Sequence, residues 1–469
     1  MKMEPEEKQS SPGNSLEGRI APDRENILRN LWKLSWPVML GMMLHSTLAV
    51  ADTFFVGRLG DYAVAAISLS GNIFWLLITI SEVINVGTVS MVARFIGAEE
   101  PGKVKNTILH SGLFALLLSL LVSSLLIYFS APFLSLFTQD EQILASGTAY
   151  LRIMAVGMFI LFLYIVMSAS FQGAGDTKTP MKMLFFANGL NIILNPVFIL
   201  GLGPAPRLEV MGAGVATLVS NSLALLILGR WFFRTNKLPA IKVSDFQFNR
   251  SIARNIMAIG FPAGVQAISR PLTGMILMYM VSIFGDDAIA AFGVGQRALS
   301  YAFIVSAGLM VATTTMVGQG LGTGDLDYTR SISRKSIIIG FLFQGAIALV
   351  YFVLARPIMD LFITESQLAV EMGVNYLRII ALGLLFAGPI RAFVGTFKGA
   401  GDTVPGMVAA FISNWIVKLS LAYLMAFHME IGTNGIWWAI TISIGIEIAI
   451  LYYWYQKGTW LYRKIQVQE

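Results

Sequence analysis

No cysteine occurs among the 469 residues, which excludes disulfides, thiol catalysis and thiolate metal sites. Histidine is scarce: His45, His110 and His428 are too scattered in sequence to suggest a zinc cluster. No GxxxxGK[S/T] run is present, so a phosphate-cradling loop and ATP hydrolysis are not expected. The glycine-rich Gly318-Gln-Gly-Leu-Gly-Thr-Gly324 fails the GxGxxG spacing and follows a hydrophobic span, as a helix end would. Charge is sparse, at 13% of residues. The first 30 or so residues are polar and mixed in charge with no apolar core, so a secretory signal peptide is not expected. Nor is an enzyme, since no nucleophile–base pair or metal cluster stands out.

What is abundant is apolar. Hydrophobic residues make up 56% of the chain and the mean hydropathy is +0.70, values that fit a polytopic membrane protein. The net charge of +6 could suggest nucleic acid, but positive loops on the cytoplasmic side of a bilayer account for it more simply. A lipid bilayer is therefore the expected surrounding, and no nucleic-acid partner is expected.

The sequence also repeats itself. Phe171-Gln-Gly-Ala-Gly-Asp-Thr177 returns as Phe397-Lys-Gly-Ala-Gly-Asp-Thr403, an offset of 402 − 176 = 226. Tyr150-Leu-Arg-Ile returns as Tyr376-Leu-Arg-Ile at the same offset. Ser35-Trp-Pro37 answers to Gly260-Phe-Pro262, and Met91-Val92 with Gly97 answers to Met316-Val317 with Gly322, each 225 apart. Self-similarity at a fixed period sets the architecture before any single motif does.

Apolar runs of about 20 residues span a bilayer. Twelve are expected: 31–56, 62–94, 106–129, 143–171, 179–201, 211–235, 255–284, 287–320, 331–353, 367–396, 404–428 and 433–456. Residues 1–30 form a tail, 31–235 an N-lobe of spans 1–6, 236–254 a polar linker, 255–456 a C-lobe of spans 7–12, and 457–469 a second tail. The tails, the linker and the connections after even-numbered spans carry most of the 33 lysines and arginines; the opposite loops carry Arg58, Arg207 and Arg356. Both termini and both GAGDT loops are thus expected on the cytoplasmic side. The fold expected is an all-α polytopic membrane protein, with twelve transmembrane helices in two six-helix lobes related by a pseudo-twofold axis along the membrane normal. The N-lobe holds acids and amides within its spans, and the C-lobe holds bases.

In each GAGDT loop two glycines (Gly173 and Gly175; Gly399 and Gly401) permit a tight backbone, and an aspartate (Asp176; Asp402) feeds the next helix. The loops read as structural elbows. Intramembrane polar residues cost free energy and are kept for a reason. Asp52 and, seven residues earlier and so on the same helical face, His45 lie in span 1. His45 could relay a proton or bond a neighbouring helix. Glu82 lies near the middle of span 2 with Asn85 one turn on; a bridge to a basic residue is its structural alternative. Asn188, Asn191 and Asn195 share one face of span 5, where Pro196 frees a mid-helix carbonyl. Asn188 is also a candidate for the substrate cavity. In the C-lobe, Arg270, Arg297, Arg391 and Lys418 all fall inside apolar runs. Either they pair structurally, for example Lys418 with Glu447, or some of them line the cavity and favour anionic or zwitterionic substrates. Met39, Met42, Met43, Phe159 and Phe162 could line a promiscuous cavity.

The duplicated F-x-GAGDT, the span-1 stretch Leu34-Ser-Trp-Pro37 to Val50-Ala-Asp-Thr-Phe-Phe-Val-Gly-Arg-Leu-Gly60 and the span-2 end Val92-Ala-Arg-Phe-Ile-Gly-Ala98 resemble the MATE family of multidrug and toxic compound extrusion transporters. The resemblance runs from about Asn26 to Tyr455. It implies two lobes rocking about a central cavity and exchanging a small amphipathic organic substrate for H+ or Na+. Asp52 matches the family's cation-coupling aspartate. Asn191 and Thr217 match positions kept in one branch, whereas Asn195 stands where that branch has an aspartate; Glu82 is the candidate replacement for the missing carboxylate. A Na+ at Asp52 and Asn191 is the one metal the resemblance allows, and no cofactor beyond the coupling ion is implied. The expected protein is a multi-pass antiporter of the inner (cytoplasmic) membrane, working as a monomer. A lipid-linked flippase of the wider superfamily is the alternative, favoured by the basic C-lobe. A non-transporting receptor is a third, disfavoured by the lack of a soluble domain.

Overall fold

The computed structural model describes residues 26–465 apart from 203–205 and 365, together with the backbone but not the side chains of residues 47, 49–51 and 243. Among the described residues twelve long helices follow in order: α1 (Ile27–Val56), α2 (Asp61–Gly97), α3 (Pro101–Ser135), α4 (Glu141–Gly173), α5 (Lys178–Leu200), α6 (Glu209–Phe232), α7 (Arg250–Ser282), α8 (Asp286–Gly322), α9 (Leu326–Val353), α10 (Gln367–Ala400), α11 (Val404–His428) and α12 (Thr433–Lys457). Ten are long and apolar enough to cross a membrane. The other two, α1 and α7, are 30 and 33 residues long, ample for the same span. They complete a twelve-helix, two-lobe fold.

Local chemistry places the breaks. Asp140 accepts the backbone N–H of Gln142 and Ile143 at the start of α4, and Asn249 does the same for Ser251 and Ile252 at the start of α7. Left-handed Gly201 and Gly401 end α5 and α10. The sequence does not announce three features. A 3₁₀ turn, Thr79–Ser81, interrupts α2 just before Glu82. A short helix, Ala355–Phe362, follows α9. α11 is wound as π-helix over Ile412–Lys418 and again over Leu424–His428, and hydropathy cannot distinguish that winding from α-helix. The linker packs against the end of α3: the Asn249 N–H donates to His110 Nε2 at 2.9 Å, and Lys105 pairs with Asp245 at 3.5 Å.

The two lobes meet about a pseudo-twofold axis that the repeat numbering tracks. A Cβ on Gly260 would overlap the carbonyl oxygen of Val83, and one on Gly308 would press on that of Ser35; 260 − 35 and 308 − 83 are both 225. Gly97 lies against the Gln319 carbonyl and Gly322 against that of Arg94, again 225 apart. The elbows obey the same symmetry. Gly173 abuts Val89 and Val92, and Gly399 abuts Thr314 and Val317. In both loops the aspartate N–H closes onto the phenylalanine carbonyl, at 2.8 and 2.9 Å.

These close approaches seal the end that bears the GAGDT loops. Thr315 Oγ1 donates to the Gln172 carbonyl at 2.9 Å, and Gln319 Nε2 donates to that of Gly173 at 2.9 Å. At the other end the lobes part around a cleft of about 610 Å³, walled by Asn72, Trp75 and Phe137 of the N-lobe and Met275, Met278 and Phe292 of the C-lobe.

Candidate functional site

Asp52, Asn191, Asn195 and Thr217 come together inside the N-lobe from α1, α5 and α6. Asn195 Nδ2 donates to Asp52 Oδ1 at 2.5 Å and to Asn191 Oδ1 at 2.9 Å, while Asn191 Nδ2 donates to Thr217 Oγ1 at 3.0 Å. With the Asn191 amide turned over, its nitrogen donates to Asp52 Oδ1 at 3.2 Å and its oxygen accepts the Thr217 N–H at 3.1 Å. Either orientation ties the four residues into one network. Asn195 and Asn191 are 0% and 1% exposed, and Asn195 Oδ1 is buried with no hydrogen-bond partner. Pro196, next in α5, leaves the Ile192 carbonyl without its helical donor. One carboxylate ringed by neutral oxygens suits a proton or a monovalent cation; a divalent ion would call for more carboxylates. Among the described residues no group of three or more His, Cys, Asp or Glu could hold a metal ion.

The sequence reading missed Tyr150 of α4, which lies within electrostatic reach of Asp52. Its partner in the repeat, Tyr376, was visible only as a marker of duplication. His45 is not in the network; its ring meets Trp75 edge-on, 5.3 Å between centroids. Asn188 is 5% exposed with its Nδ2 unpartnered, and it lines neither the cleft nor the C-lobe cavity.

Glu82 requires a correction. It does not complete the Asp52 network, because α2 turns it toward the other lobe. Asn85 Nδ2 donates to its Oε1 at 3.0 Å, and Lys398 Nζ approaches its Oε2 at 3.7 Å. Lys398 is the one residue within the duplicated heptads, besides Gln172, where the copies differ, FQGAGDT against FKGAGDT. That difference was the available signal. The elbow aspartates also differ. Asp176 accepts the N–H groups of Lys178 and Thr179 at 3.1 and 3.0 Å, the Thr179 hydroxyl at 2.7 Å, and Lys237 Nζ at 2.9 Å. At the second elbow it is Thr403 that reaches out, its hydroxyl donating to the Ile259 carbonyl at 2.6 Å.

In the C-lobe the pairing of Lys418 with Glu447 is not found. Glu447, 5% exposed, accepts from Arg270 at 3.1 Å, and Lys418 instead donates to the side-chain Oδ1 of Asn414. Arg270 and Glu447 are 177 residues apart, a contact that spacing could not reveal. Arg297 lines neither cavity. The methionines and phenylalanines proposed from sequence do not wall the cleft: Phe162 is buried in the N-lobe core, Met39 packs against Gly308, and Met42, Met43 and Phe159 are exposed elsewhere.

The family model described as MatE matches residues 37–197 and 262–424, once in each lobe. The chain belongs to the MatE family. Its curated relatives include a probable multidrug resistance protein NorM of Thermotoga maritima, 27% identical over 451 residues and covering 94% of this chain and 95% of that one. Another is described as an FAD transporter of Shewanella oneidensis, 29% identical over 382 residues and covering 79% and 84%. A solved structure described as the outward-facing conformation of a multidrug resistance MATE family transporter superposes with a TM-score of 0.87 at 24% identity, covering 97% of this chain and 100% of that one. Like other MatE chains this one is a transporter and not an enzyme.

Proposed function

We propose that this MatE chain is a secondary-active exporter that expels amphipathic organic compounds in exchange for H+ or Na+ taken up at Asp52. The observation that carries the reading is a single buried network, Asp52–Asn195–Asn191–Thr217, set inside one lobe of a molecule whose interlobe cleft is sealed at one end. The NorM relative supports multidrug export as the kind of transport. The excess of basic residues in the loops on the GAGDT side supports a cytoplasmic position for the sealed end, in an inner-membrane protein, and in that orientation the cleft faces outward. Each chain holds the cation network and the cleft, so a monomer suffices.

The coupling follows from differential binding. A proton or Na+ at Asp52 removes an uncompensated charge from the N-lobe interior and releases Asn195 Nδ2 from its bond to the carboxylate. The helices α1, α5 and α6 that share the network then repack. Transport is obligatory only if ion and substrate favour different orientations or exclude one another. The wide, apolar cleft supplies aromatic faces and flexible thioethers that accommodate varied bodies.

Asp52→Asn keeps the size of the side chain and one acceptor oxygen for Asn195, but replaces the other oxygen with an N–H donor and removes the charge. Purified variant in proteoliposomes with an imposed proton or sodium gradient is expected to lose gradient-driven dye export while keeping its melting temperature. Full export by that variant would contradict the reading.

A further inference from the structure

A second cavity, about 170 Å³, lies inside the C-lobe between α7, α8, α10, α11 and α12. Its charged lining is Arg270, Arg391, Lys418 and Glu447, three bases against one acid, a surplus of two positive charges. Glu447 is already used by Arg270. A further acid within electrostatic reach of Arg391, Glu82, pairs with Lys398. Arg391 has the ring of Phe303 at 5.7 Å beneath its guanidinium and, among the described residues, no carboxylate within ion-pair distance, and its Nε is buried without a hydrogen-bond partner. Among the described residues Lys418 donates a hydrogen bond to the Asn414 amide oxygen and makes no ion pair. It sits on the π-helical stretch of α11 that also carries Asn414, and such departures from α-helix recur at functional sites. A set of bases held only for structure would be neutralised in place, and this set is not.

The cavity also has a position. Gly274 and Gln296 line both it and the interlobe cleft, so the two spaces share a wall. A volume of 170 Å³ is well under the roughly 300–1,000 Å³ of pockets that enclose a drug-sized molecule. The cleft, at about 610 Å³, falls in that range and is lined almost wholly by apolar side chains. We propose that the C-lobe cavity receives the anionic head group (a carboxylate, sulfonate or phosphate) of an amphiphile whose apolar body occupies the cleft. Arg391 and Lys418 hold the charge, with the planar guanidinium donating to two oxygens, while Arg270 stays tied to Glu447. The head-group assignment rests on the export reading only for the direction of movement; binding itself needs neither gradient nor Asp52.

The test uses a matched probe set, 1-pyrenebutyrate, its methyl ester and pyrenebutyl-trimethylammonium, bound at equilibrium to the full chain in phosphatidylcholine nanodiscs, with empty nanodiscs subtracted. Wild type is expected to bind the carboxylate at least tenfold more tightly than the ester, and the cation more weakly than either. Arg391→Gln with Lys418→Gln should bring carboxylate and ester within twofold of each other while ester affinity moves less than threefold, which shows that the variant is folded. Arg391→Lys with Lys418→Arg should keep the preference, and Met275→Ala in the cleft should weaken all three probes alike. Equal binding of carboxylate and ester by wild type would overturn the proposal, as would a preference that survives the double neutralisation. Adding phosphatidylglycerol to the nanodiscs separates the sources: displacement of pyrenebutyrate assigns the head group to a membrane lipid, and no displacement assigns it to a water-soluble amphiphile. Loss of export in Asp52→Asn with anion preference intact would leave this site standing, so the two readings fail separately.

Discussion

Tyr150 and Tyr376 occupy equivalent places in the two lobes, 226 residues apart, yet their surroundings have opposite chemistry. Tyr150 lies near an aspartate held by asparagines and a threonine; Tyr376 lines a cavity with two arginines and a lysine. His45 and Arg270 form another equivalent pair (270 − 45 = 225), one resting on an indole and the other bridged to a glutamate. The backbone plan is duplicated down to individual glycine contacts, so the divergence lies mainly in side chains and in local winding, such as the π-helical turns of α11 that α5 lacks. Duplication supplies two lobes that can rock against each other. Their differences let one lobe take a cation while the other offers positive charge to a cargo.

The comparison breaks most sharply at the sealed interface. Gly260 against Val83 is tighter than its mate Gly308 against Ser35, where the flexible Met39 side chain can give way. Gly260→Ala should therefore destabilise the sealed arrangement by about 3 kcal/mol, the upper part of the usual overpacking range, and Gly308→Ala by less. Thermal melts combined with labelling of a cysteine introduced at the GAGDT end would register both. Equal effects would mean that the interface is more compliant than its backbone contacts indicate.

The elbows differ next. Burial alone would raise Asp176, but bonds from Thr179 and Lys237 more than offset it and hold the carboxyl below its ordinary range. Burial pushes Asp402 up, with Arg463 opposing. The pH signs are opposite. The depressed Asp176 contributes stability above the unfolded carboxylate range and loses it as pH falls through its folded value. The raised Asp402 contributes stability below the unfolded value and loses it as pH rises through its folded one. At pH 7 Asp176→Asn should cost about 2 kcal/mol, the scale of a charge-assisted hydrogen bond, and Asp402→Asn should be neutral or slightly stabilising. Melting temperatures of both variants at pH 7 and pH 4 would check this; a parallel response would refute the distinction.

The smallest effect is expected at the one ion pair seen between the lobes among the described residues. Glu82 is about one-third exposed and its partner Lys398 little exposed, side chains at 34% and 11%, so Glu82→Gln should favour opening of the sealed end by about 1 kcal/mol. Spin-label distances across that end would detect the shift, whereas Gln172→Ala, at the equivalent of Lys398, should leave them unchanged.

Much of this was legible in the sequence, for physical reasons. Hydrophobic runs must be long enough to cross a bilayer, so the twelve helices could be read, and GAGDT and its flanks fixed the duplication. The residues of the Asp52 network could be named because spacing put Asn191 and Asn195 on one face of α5 and a family resemblance supplied Asp52 and Thr217. What was not legible depends on helix rotation and distant pairing. Nothing in the run around Glu82 says that it turns toward Lys398 rather than Asp52. No local signal joins Arg270 to Glu447, and the π-winding that carries Lys418 and Asn414 into the cavity leaves hydropathy unchanged. Lys398 itself read as a loop residue until its neighbour across the lobes was known.

The central claim is that cation binding belongs to the N-lobe and does not depend on the bases of the C-lobe. It is tested most directly by measuring cation uptake without any substrate: proton uptake after a pH jump, and Na+ binding by titration calorimetry, on wild type, Asp52→Asn and Arg391→Gln. The account predicts that one of these two signals is present in wild type, absent in Asp52→Asn and unchanged in Arg391→Gln. A signal that persists without Asp52, or disappears with Arg391, would contradict it.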